Sequence, residues 1–277
     1  MRNEAKNLMR FGQNFDLDRH VVFPKVIENM TTDEVLVETF EHGMSLNTYM
    51  RSYKDPLEHK RLAKIGLVSF LKMILVQNFI HADLHPGNIL VRKNLSTNEL
   101  QIVVLDAGFI TELSDTDWNN FKQLFRCIVT GDGKKGAHLM VEHARQTKIS
   151  DEDRDKFASE LDVLFREIRY KKMSDIEVGL FISRVLNTVR RYRVKIEANF
   201  ATLIIATVIL EGIGRQLDPE INILDESIPI LLWSDKATIE DRILFFREKV
   251  KDEFQNEDVT IWQRLKNLIY PIYKSLS

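Results

Sequence analysis

Acidic and amide side chains in the middle of the chain have the types and spacing that phosphoryl transfer requires. The segment reads His81-Ala82-Asp83-Leu84-His85-Pro86-Gly87-Asn88, and Asp106-Ala107-Gly108 follows 18 positions after Asn88. That reaction needs a carboxylate beside the acceptor hydroxyl and oxygen ligands that hold Mg²⁺ against the nucleotide phosphates. Asp83 fits the catalytic role, with His81 in the same loop. Asn88 and Asp106 fit the role of metal ligands.

The order of the elements around these residues strengthens the assignment. In kinase-type sites an Asp is followed five positions later by Asn, then by a strand, a turn, a second strand and Asp-x-Gly. Here Ile89-Leu90-Val91 and Ile102-Val103-Val104-Leu105 flank a polar stretch, which predicts a hairpin that returns Asp106 to Asn88. Gly108 permits the sharp turn after the metal ligand. A lone Asp-x-Gly usually belongs to an ordinary polar loop, but these pieces together favour the functional interpretation.

Two further patterns suggest other chemistries and are weaker. His81-x-Asp83-x-His85 could hold a transition metal, but the remaining histidines form no comparable cluster. The run Gly131-Asp132-Gly133-Lys134-Lys135-Gly136 matches G-x-G-x-x-G, yet it lies downstream of the metal loop and no strand precedes it. We predict a turn between two helices at this run.

The elements that must position these residues follow from apolar spacing. Apolar residues recur every three to four positions between Lys60 and Phe79, which predicts a helix over 60–80 that leads to His81. Two β-rich runs, 21–23 and 34–38, are separated by turn residues and predict an antiparallel strand pair within 21–39. A parallel sheet would contradict the kinase interpretation. Cap residues Ser114, Ser150 and Ser174 predict successive helices, so 114–276 is expected to be mostly helical.

Composition is that of an ordinary globular protein with a substantial core. The 277 residues are 44% hydrophobic and carry a formal net charge of -2, which gives no case for binding nucleic acid. The single cysteine, Cys127, lies in an apolar run and is predicted to be a buried hydrophobe. No signal-peptide pattern opens the chain. The most apolar stretch, 201–210, is about half the length of a membrane-spanning helix, so we predict a buried helix and no transmembrane segment.

The central motifs closely resemble those of the UbiB/AarF-domain-containing family of atypical kinases, which are associated with coenzyme Q biosynthesis. The match rests on the segment 81–91 and on Asp106-Ala107-Gly108. It is supported by Arg2-Asn3-Glu4-Ala5-Lys6-Asn7, which looks like the family's helix C. Residues 211–219, EGIGRQLDP, look like its C-lobe signature. Ala107 in place of the Phe of Asp-Phe-Gly is similar to the mitochondrial branch of the family.

This resemblance implies an α+β, protein-kinase-like fold with a predominantly helical C-lobe. Residues 1–43 would be a partial N-lobe, made of the end of helix C, a strand pair and a hinge, and 44–277 the C-lobe. ATP and Mg²⁺ are the implied cofactors. The adenine side of the cleft would be lined by a short hinge segment, Glu38, Thr39, Phe40 and Glu41. Glu4 would belong to the acidic helix-C motif, although a solvated helix position fits it equally well.

The family's Lys-x-Gly-Gln segment, its Ala-rich loop and its phosphate-binding strand lysine are all expected upstream of Glu4. None of them is present in these residues, so a truncated antiparallel N-lobe with impaired nucleotide handling is expected. Within EGIGRQLDP, Glu211 and Arg215 are four positions apart and are expected to brace one helix.

Three functions therefore stay open. The first is an ATP- and Mg²⁺-dependent phosphotransferase or ATPase of the UbiB family. The second is a pseudokinase scaffold in a lipid-biosynthetic complex. The third, disfavoured by EGIGRQLDP, is a small-molecule kinase of the aminoglycoside or choline kinase type. By resemblance the location is mitochondrial, and the partners beyond the nucleotide are coenzyme Q biosynthesis proteins or lipid.

Overall fold

The computed structural model describes residues 1–144, 149–170, 178–195 and 198–233. The helices are α1 (Arg2–Asn14), α2 (Leu46–Ser52), α3 (Pro56–Lys72), α4 (Asp115–Thr130), α5 (Gly133–His143), α6 (Asp151–Tyr170), α7 (Val178–Arg191), α8 (Ala198–Leu217) and α9 (Ile223–Trp233). The strands are β1 (Val21–Val22), β2 (Met44–Ser45), β3 (Ile80–His81), β4 (Ile89–Lys93), β5 (Leu100–Val104) and β6 (Ile110–Thr111). In the part of the chain that the structure describes, all strands precede residue 112, and every helix after that point is an α-helix.

The central hairpin is formed by β4 and β5, as the sequence predicts. The two strands pair antiparallel from Ile89 opposite Val104 to Lys93 opposite Leu100. Every residue of β5 is buried, whereas β4 alternates between buried and partly exposed positions. The strand order of this sheet is β1-β5-β4-β2, and a second small sheet pairs β3 with β6. The hairpin thus forms the middle of the sheet, with its Asn88 end next to the second small sheet.

The predicted pairing of 21–23 with 34–38 is wrong, although an antiparallel contact does form within 21–39. Val21 and Val22 run parallel to β5, and the antiparallel contact is instead made by 25–27 with 37–39, through a bridge between Val26 and Glu38. The reason is burial: Val21 and Phe23 are buried and belong to the core beside β5. Pro24 has no N–H to donate and separates this buried run from the exposed turn that follows. The sheet is mixed: β1 and β5 are parallel over two residues, whereas β4 pairs antiparallel with both β5 and β2. It is therefore not the parallel sheet that would contradict the kinase interpretation.

The predicted helix over 60–80 is confirmed, with an altered last turn. Asp55 caps α3 by accepting a hydrogen bond from the Leu57 N–H at 2.9 Å. After Lys72 the chain continues as a π-helical turn over Met73–Gln77 and leaves it at Asn78, whose φ is 48°. The wider turn presents the Ile74 carbonyl to the indole N–H of Trp118, which donates to it at 2.7 Å. This bond ties α4 to the segment that delivers the chain to β3.

The helical prediction for the second half is confirmed wherever the structure describes it. Ser114 accepts a hydrogen bond from the Asp117 N–H at 3.1 Å, and Ser150 accepts one from the Asp153 N–H at 3.2 Å. The predicted cap at Ser174 and the stretch 234–276 lie outside the described residues. Cys127 is buried in α4, and burial raises the pKa of its thiol to about 11. It is a small core residue, as predicted.

The glycine-rich run at 131–136 is a helix–helix turn, as predicted, and backbone conformation or close packing explains each of its glycines. Gly131 ends α4 with a φ of 71°, a conformation that L side chains rarely adopt. A Cβ on Gly133 would lie 2.3 Å from the Cα of Asp162, and a Cβ on Gly136 would lie 2.7 Å from the Phe165 ring. These glycines let α5 approach the backbone of α6, and no phosphate-binding role is needed to explain them.

Contacts divide the chain into a unit Met1–Glu226 and a unit Ser227–Ser277. Of the second unit the structure describes only 227–233, which complete α9. In the first unit α3 contacts both β5 and α8 and so links the sheet to the helices. None of the helices in the described ranges combines the length and apolar character needed to cross a membrane.

Candidate nucleotide and metal site

The catalytic loop and the metal loop are joined by His81. Its side chain is 1% exposed, and its Nε2 contacts the backbone carbonyl of Asp106. Its Nδ1 accepts a hydrogen bond from the Asp83 N–H at 3.2 Å. Burial lowers the pKa of His81, against the opposing influence of Asp106, and so favours the neutral ring, which has one donor and one acceptor. We therefore assign the proton to Nε2, which donates to the backbone carbonyl of Asp106, and the accepting lone pair to Nδ1.

This arrangement also bears on the alternative transition-metal site. Both ring nitrogens of His81 are already engaged, so the ring has no free lone pair for a metal. Among the described residues no group of three or more His, Cys, Asp or Glu side chains could hold a metal ion. His81 therefore positions the two loops relative to each other and does not meet the requirements of a zinc or iron ligand.

The segment after Asp83 is a tight turn that sets the position of Asn88. His85 uses its Nδ1 to accept a hydrogen bond from the Gly87 N–H at 3.1 Å, and the Asn88 N–H donates to the His85 carbonyl at 3.0 Å. Pro86–Asn88 form one 3₁₀ turn that leads directly into β4. Asp83 itself is exposed, so its carboxylate is accessible to an acceptor substrate.

Asn88 and Asp106 lie at the same end of the β4–β5 hairpin. The Leu105 N–H donates to the Asn88 carbonyl at 2.9 Å, and Asp106 is the next residue. Asp106 is half-buried, and its Oδ1 accepts a hydrogen bond from the Gly108 N–H at 2.7 Å. The backbone thus brings the two predicted metal ligands to one place, while convergence of their side-chain oxygens on one ion stays a prediction.

Helix α1 packs against the metal loop. The Asn7 amide donates to the Ala107 carbonyl at 2.8 Å, and the Glu4 carboxylate lies 3.9 Å from where a Cβ on Gly108 would stand. The Phe11 ring is 4.5 Å from the Phe79 ring, just before His81. Asn7 is a contact that the residue pattern did not single out. Its signal was available, since Glu4 and Asn7 are three positions apart and share a helix face.

The predicted hinge residues differ in their contacts: Thr39 and Glu41 have side-chain partners, whereas Phe40 is exposed. Thr39 donates its hydroxyl hydrogen bond to Glu41 at 2.9 Å, and Glu41 pairs with Arg92 of β4 at 2.7 Å, which fixes this segment to the sheet. Phe40, by contrast, is 83% exposed. An adenine-lining role for Phe40 would require a further element to cover it, and it stays a prediction.

Glu38 is the hinge residue that faces the metal loop. Its Oε2 is buried and has no hydrogen-bond partner among the described residues. Its pKa is raised, first by burial and then by the negative charges of Glu4, Asp106 and Glu41. Carboxylates gathered this way repel one another, and a hard cation nearby would relieve the repulsion.

The donor set fits Mg²⁺ held partly by phosphate. An amide oxygen and a carboxylate, Asn88 and Asp106, are the hard oxygen ligands that this ion uses in nucleotide sites, where substrate phosphates and water complete the shell. The surrounding carboxylates do not themselves form a three-ligand cage. The residues therefore fit a metal that arrives with a nucleotide better than a metal held by protein alone.

Comparison with known families agrees with this geometry. The model of the ABC1 atypical kinase-like domain matches residues 1–140, and the model of the UbiB helical domain matches residues 161–222. This chain belongs to the ABC1 atypical kinase family. The family predicted from the motifs is thereby confirmed, and the ABC1 match covers the whole candidate site, from Glu4 to Gly108.

Several ABC1 and UbiB proteins are similar over most of this chain. A probable serine/threonine-protein kinase abkC of Dictyostelium discoideum is 34% identical over 91% of this chain and 44% of its own length. A mitochondrial ABC1 family protein of Schizosaccharomyces pombe is 34% identical over 82% of this chain and 38% of its own. A probable protein kinase UbiB of Vibrio cholerae is 26% identical over 83% and 42%. The chain spans 38–44% of the length of these relatives.

A solved structure supports the fold. The Rv3197 protein of Mycobacterium tuberculosis, solved in complex with erythromycin, superimposes with a TM-score of 0.55 at 14% identity, over 86% of this chain and 58% of that one. At this identity the likeness concerns the fold alone. The predicted α+β, protein-kinase-like class with a largely helical second half is confirmed.

The UbiB helical match includes EGIGRQLDP, where a structural role was predicted. Arg215 pairs with Glu211 at 2.9 Å, four residues apart within α8. Glu211 is buried, so this pair neutralises a charge inside the helical part of the ABC1 chain. It lies on α8 and not on the catalytic or metal loops.

Proposed function

We propose that this ABC1 chain binds a Mg²⁺-nucleotide, ATP, at the junction of the catalytic and metal loops and uses it for phosphotransfer or ATP hydrolysis. The observation that carries the proposal is the pair of contacts made by the buried His81 ring. One ring nitrogen contacts the Asp106 carbonyl and the other accepts from the Asp83 N–H, so the ring fixes the position of the two loops relative to each other. Kinase-type catalysis is mainly positioning and charge neutralisation, so a rigid link between the two loops is what it requires.

The proposed roles follow from position. Asn88 and Asp106 would hold the Mg²⁺, which neutralises charge on the phosphates. Asp83, exposed beside them, would orient the acceptor hydroxyl or water and accept its proton. The Glu4 carboxylate would lie near Gly108, and the Glu38 carboxylate would interact electrostatically with the metal ion. Residues 1–43 would form the N-lobe, with 38–41 near the adenine, and 44–277 would form the C-lobe.

The test separates binding from turnover in three variants of the full chain. Asp106→Ala should abolish the thermal shift that Mg²⁺ with ATP produces, because a metal ligand is lost. Asp83→Ala should keep that shift and lower ATP hydrolysis by about 10²–10⁴-fold, the usual contribution of a general base. Asp16→Ala, at an exposed position outside the site, is the control and should change neither.

The pattern of results decides between functions. Binding without measurable turnover in the unsubstituted chain would favour the pseudokinase scaffold. A Mg²⁺-dependent shift that survives Asp106→Ala would overturn the metal assignment.

We further propose a mitochondrial location and a part in coenzyme Q biosynthesis. The first rests on a relative that is a mitochondrial ABC1 family protein and the second on the resemblance to UbiB. Cells that lack the gene should have lowered coenzyme Q, which the native gene restores. The Asp83→Ala gene should fail to restore it if chemistry is required, whereas the Asp16→Ala gene should succeed. Unchanged coenzyme Q in the deletion strain would refute this role.

A further inference from the structure

An apolar cavity of about 140 Å³, partly open to solvent, lies among the helices of the second half of the chain. It is bounded by α4, α5, α6, α7, α8 and the start of α9, and the lining includes Phe121, Phe125, Leu139, Ile168, Val185 and Ile204. A dry cavity of about 150 Å³ lined by such side chains is known to accept benzene. This cavity is therefore large enough for one six-membered ring.

One polar atom in the lining stands out. His143, at the end of α5, borders the cavity, and its Nε2 is buried without a hydrogen-bond partner among the described residues. Burying a polar atom without a partner is destabilising, and such atoms are rare in native proteins. The other polar residues of the lining are Asn120, Lys195 and Thr207, and Lys195 and Thr207 have interactions of their own. An oxygen-bearing ligand would supply the partner that His143 lacks.

We propose that this cavity binds a compact hydroxylated hydrocarbon, about one ring in size, whose hydroxyl bonds to Nε2 of His143. A hydroxyl can donate and accept, so it pairs with either tautomer of the imidazole. The hydrocarbon part replaces empty space with van der Waals contacts to the lining. A charged ligand is disfavoured because the largely apolar walls would desolvate it, and Lys195 of the lining already has an interaction of its own. The site is separate from the nucleotide site and does not depend on it.

The test uses two probes that differ by one hydroxyl group, benzyl alcohol and toluene, titrated into the full chain by ligand-observed NMR. Val185→Phe narrows the cavity and should lower the affinity for both probes by about tenfold or more. A tenfold loss of affinity corresponds to only about 1.4 kcal/mol of binding free energy. Val163→Phe makes the same change on α6 at a position that is 65% exposed and outside the lining. It should leave both affinities unchanged.

His143→Phe keeps the ring and removes the nitrogen. It should lower the affinity for benzyl alcohol by about two- to tenfold, the contribution of one hydrogen bond, and leave the affinity for toluene unchanged. Intermolecular NOEs from the benzyl alcohol ring to the methyl groups of Leu139 and Val185 in the unsubstituted chain give a measurement that does not depend on how the variants fold. Absence of saturable binding, absence of these NOEs, or equal loss of both probes in His143→Phe would each overturn the proposal.

Discussion

At the scale of single residues, the site depends on how neutral and charged groups are distributed. His81 is the buried member, and its neutral ring bridges the two loops. Asp83 is exposed and Asp106 half-buried, so the two carboxylates occupy different environments beside the same imidazole. Such a division suits a site in which one carboxylate faces the acceptor and the other faces a metal. The pKa of Glu38 is raised by burial and by the negative charges of Glu4, Asp106 and Glu41, which reflects the local negative potential that would attract the cation.

The His81 link can be tested through the hydrogen bond that it donates. His81→Leu should leave the partly buried Asp106 carbonyl without this donor and lower the free energy of unfolding by about 1–3 kcal/mol. His81→Gln keeps an N–H donor and should lose less. Urea unfolding measures both, and the thermal shift with Mg²⁺ and ATP should fall in the same order. His138→Leu, at an exposed position, serves as the control and should change stability by less than about 0.5 kcal/mol.

If His81→Leu is as stable as the unsubstituted chain, the contact with the Asp106 carbonyl does not hold the loops together. If the Leu and Gln variants lose the same stability, the loss reflects packing of the ring and not its donor.

At the scale of elements, the sequence predicts what has a strong local pattern. The hairpin of β4 and β5, the helix leading to His81 and the caps at Ser114 and Ser150 each follow from apolar period or cap chemistry. The motif spacing likewise predicts that Asp106 returns to Asn88. The partner of β1 is not predicted, because a two-residue buried strand has no alternation to show its neighbour.

Contacts between residues that are far apart in the sequence also cannot be predicted from local sequence patterns. The bond from Asn7 to the Ala107 carbonyl joins residues 100 positions apart, and the Ile74 carbonyl in the π-helical turn at Met73–Gln77 accepts a hydrogen bond from Trp118, 44 positions later. Tertiary packing decides both features, and apolar period alone gives no sign of either. The cavity beside His143 belongs to the same class, since it is bounded by several helices at once.

At the scale of the whole chain, the two regions matched by family models share one unit. Residues 1–140 carry the candidate site and 161–222 the helical domain, and both fall within the unit Met1–Glu226. Helix α3 is the physical connection. Its Gly66 approaches the Ile102 side chain of β5, and its Lys64 pairs with Glu226 at 3.1 Å. We infer that stability lost in the helices is also lost at the catalytic loops.

Hydrogen exchange in a matched pair of α6 variants tests this coupling. Leu161 is fully buried and Val163 is 65% exposed, so Leu161→Ala should cost about 2–5 kcal/mol and Val163→Ala less than about 0.5 kcal/mol. Because α3 contacts both the sheet and α8, Leu161→Ala should reduce amide protection in β5 by about the same factor as in α6. Mass spectrometry of peptides covering 100–104 and 151–170 measures the two factors together. A loss confined to the helical peptides would show that the sheet with its catalytic and metal loops unfolds independently of the UbiB helical region.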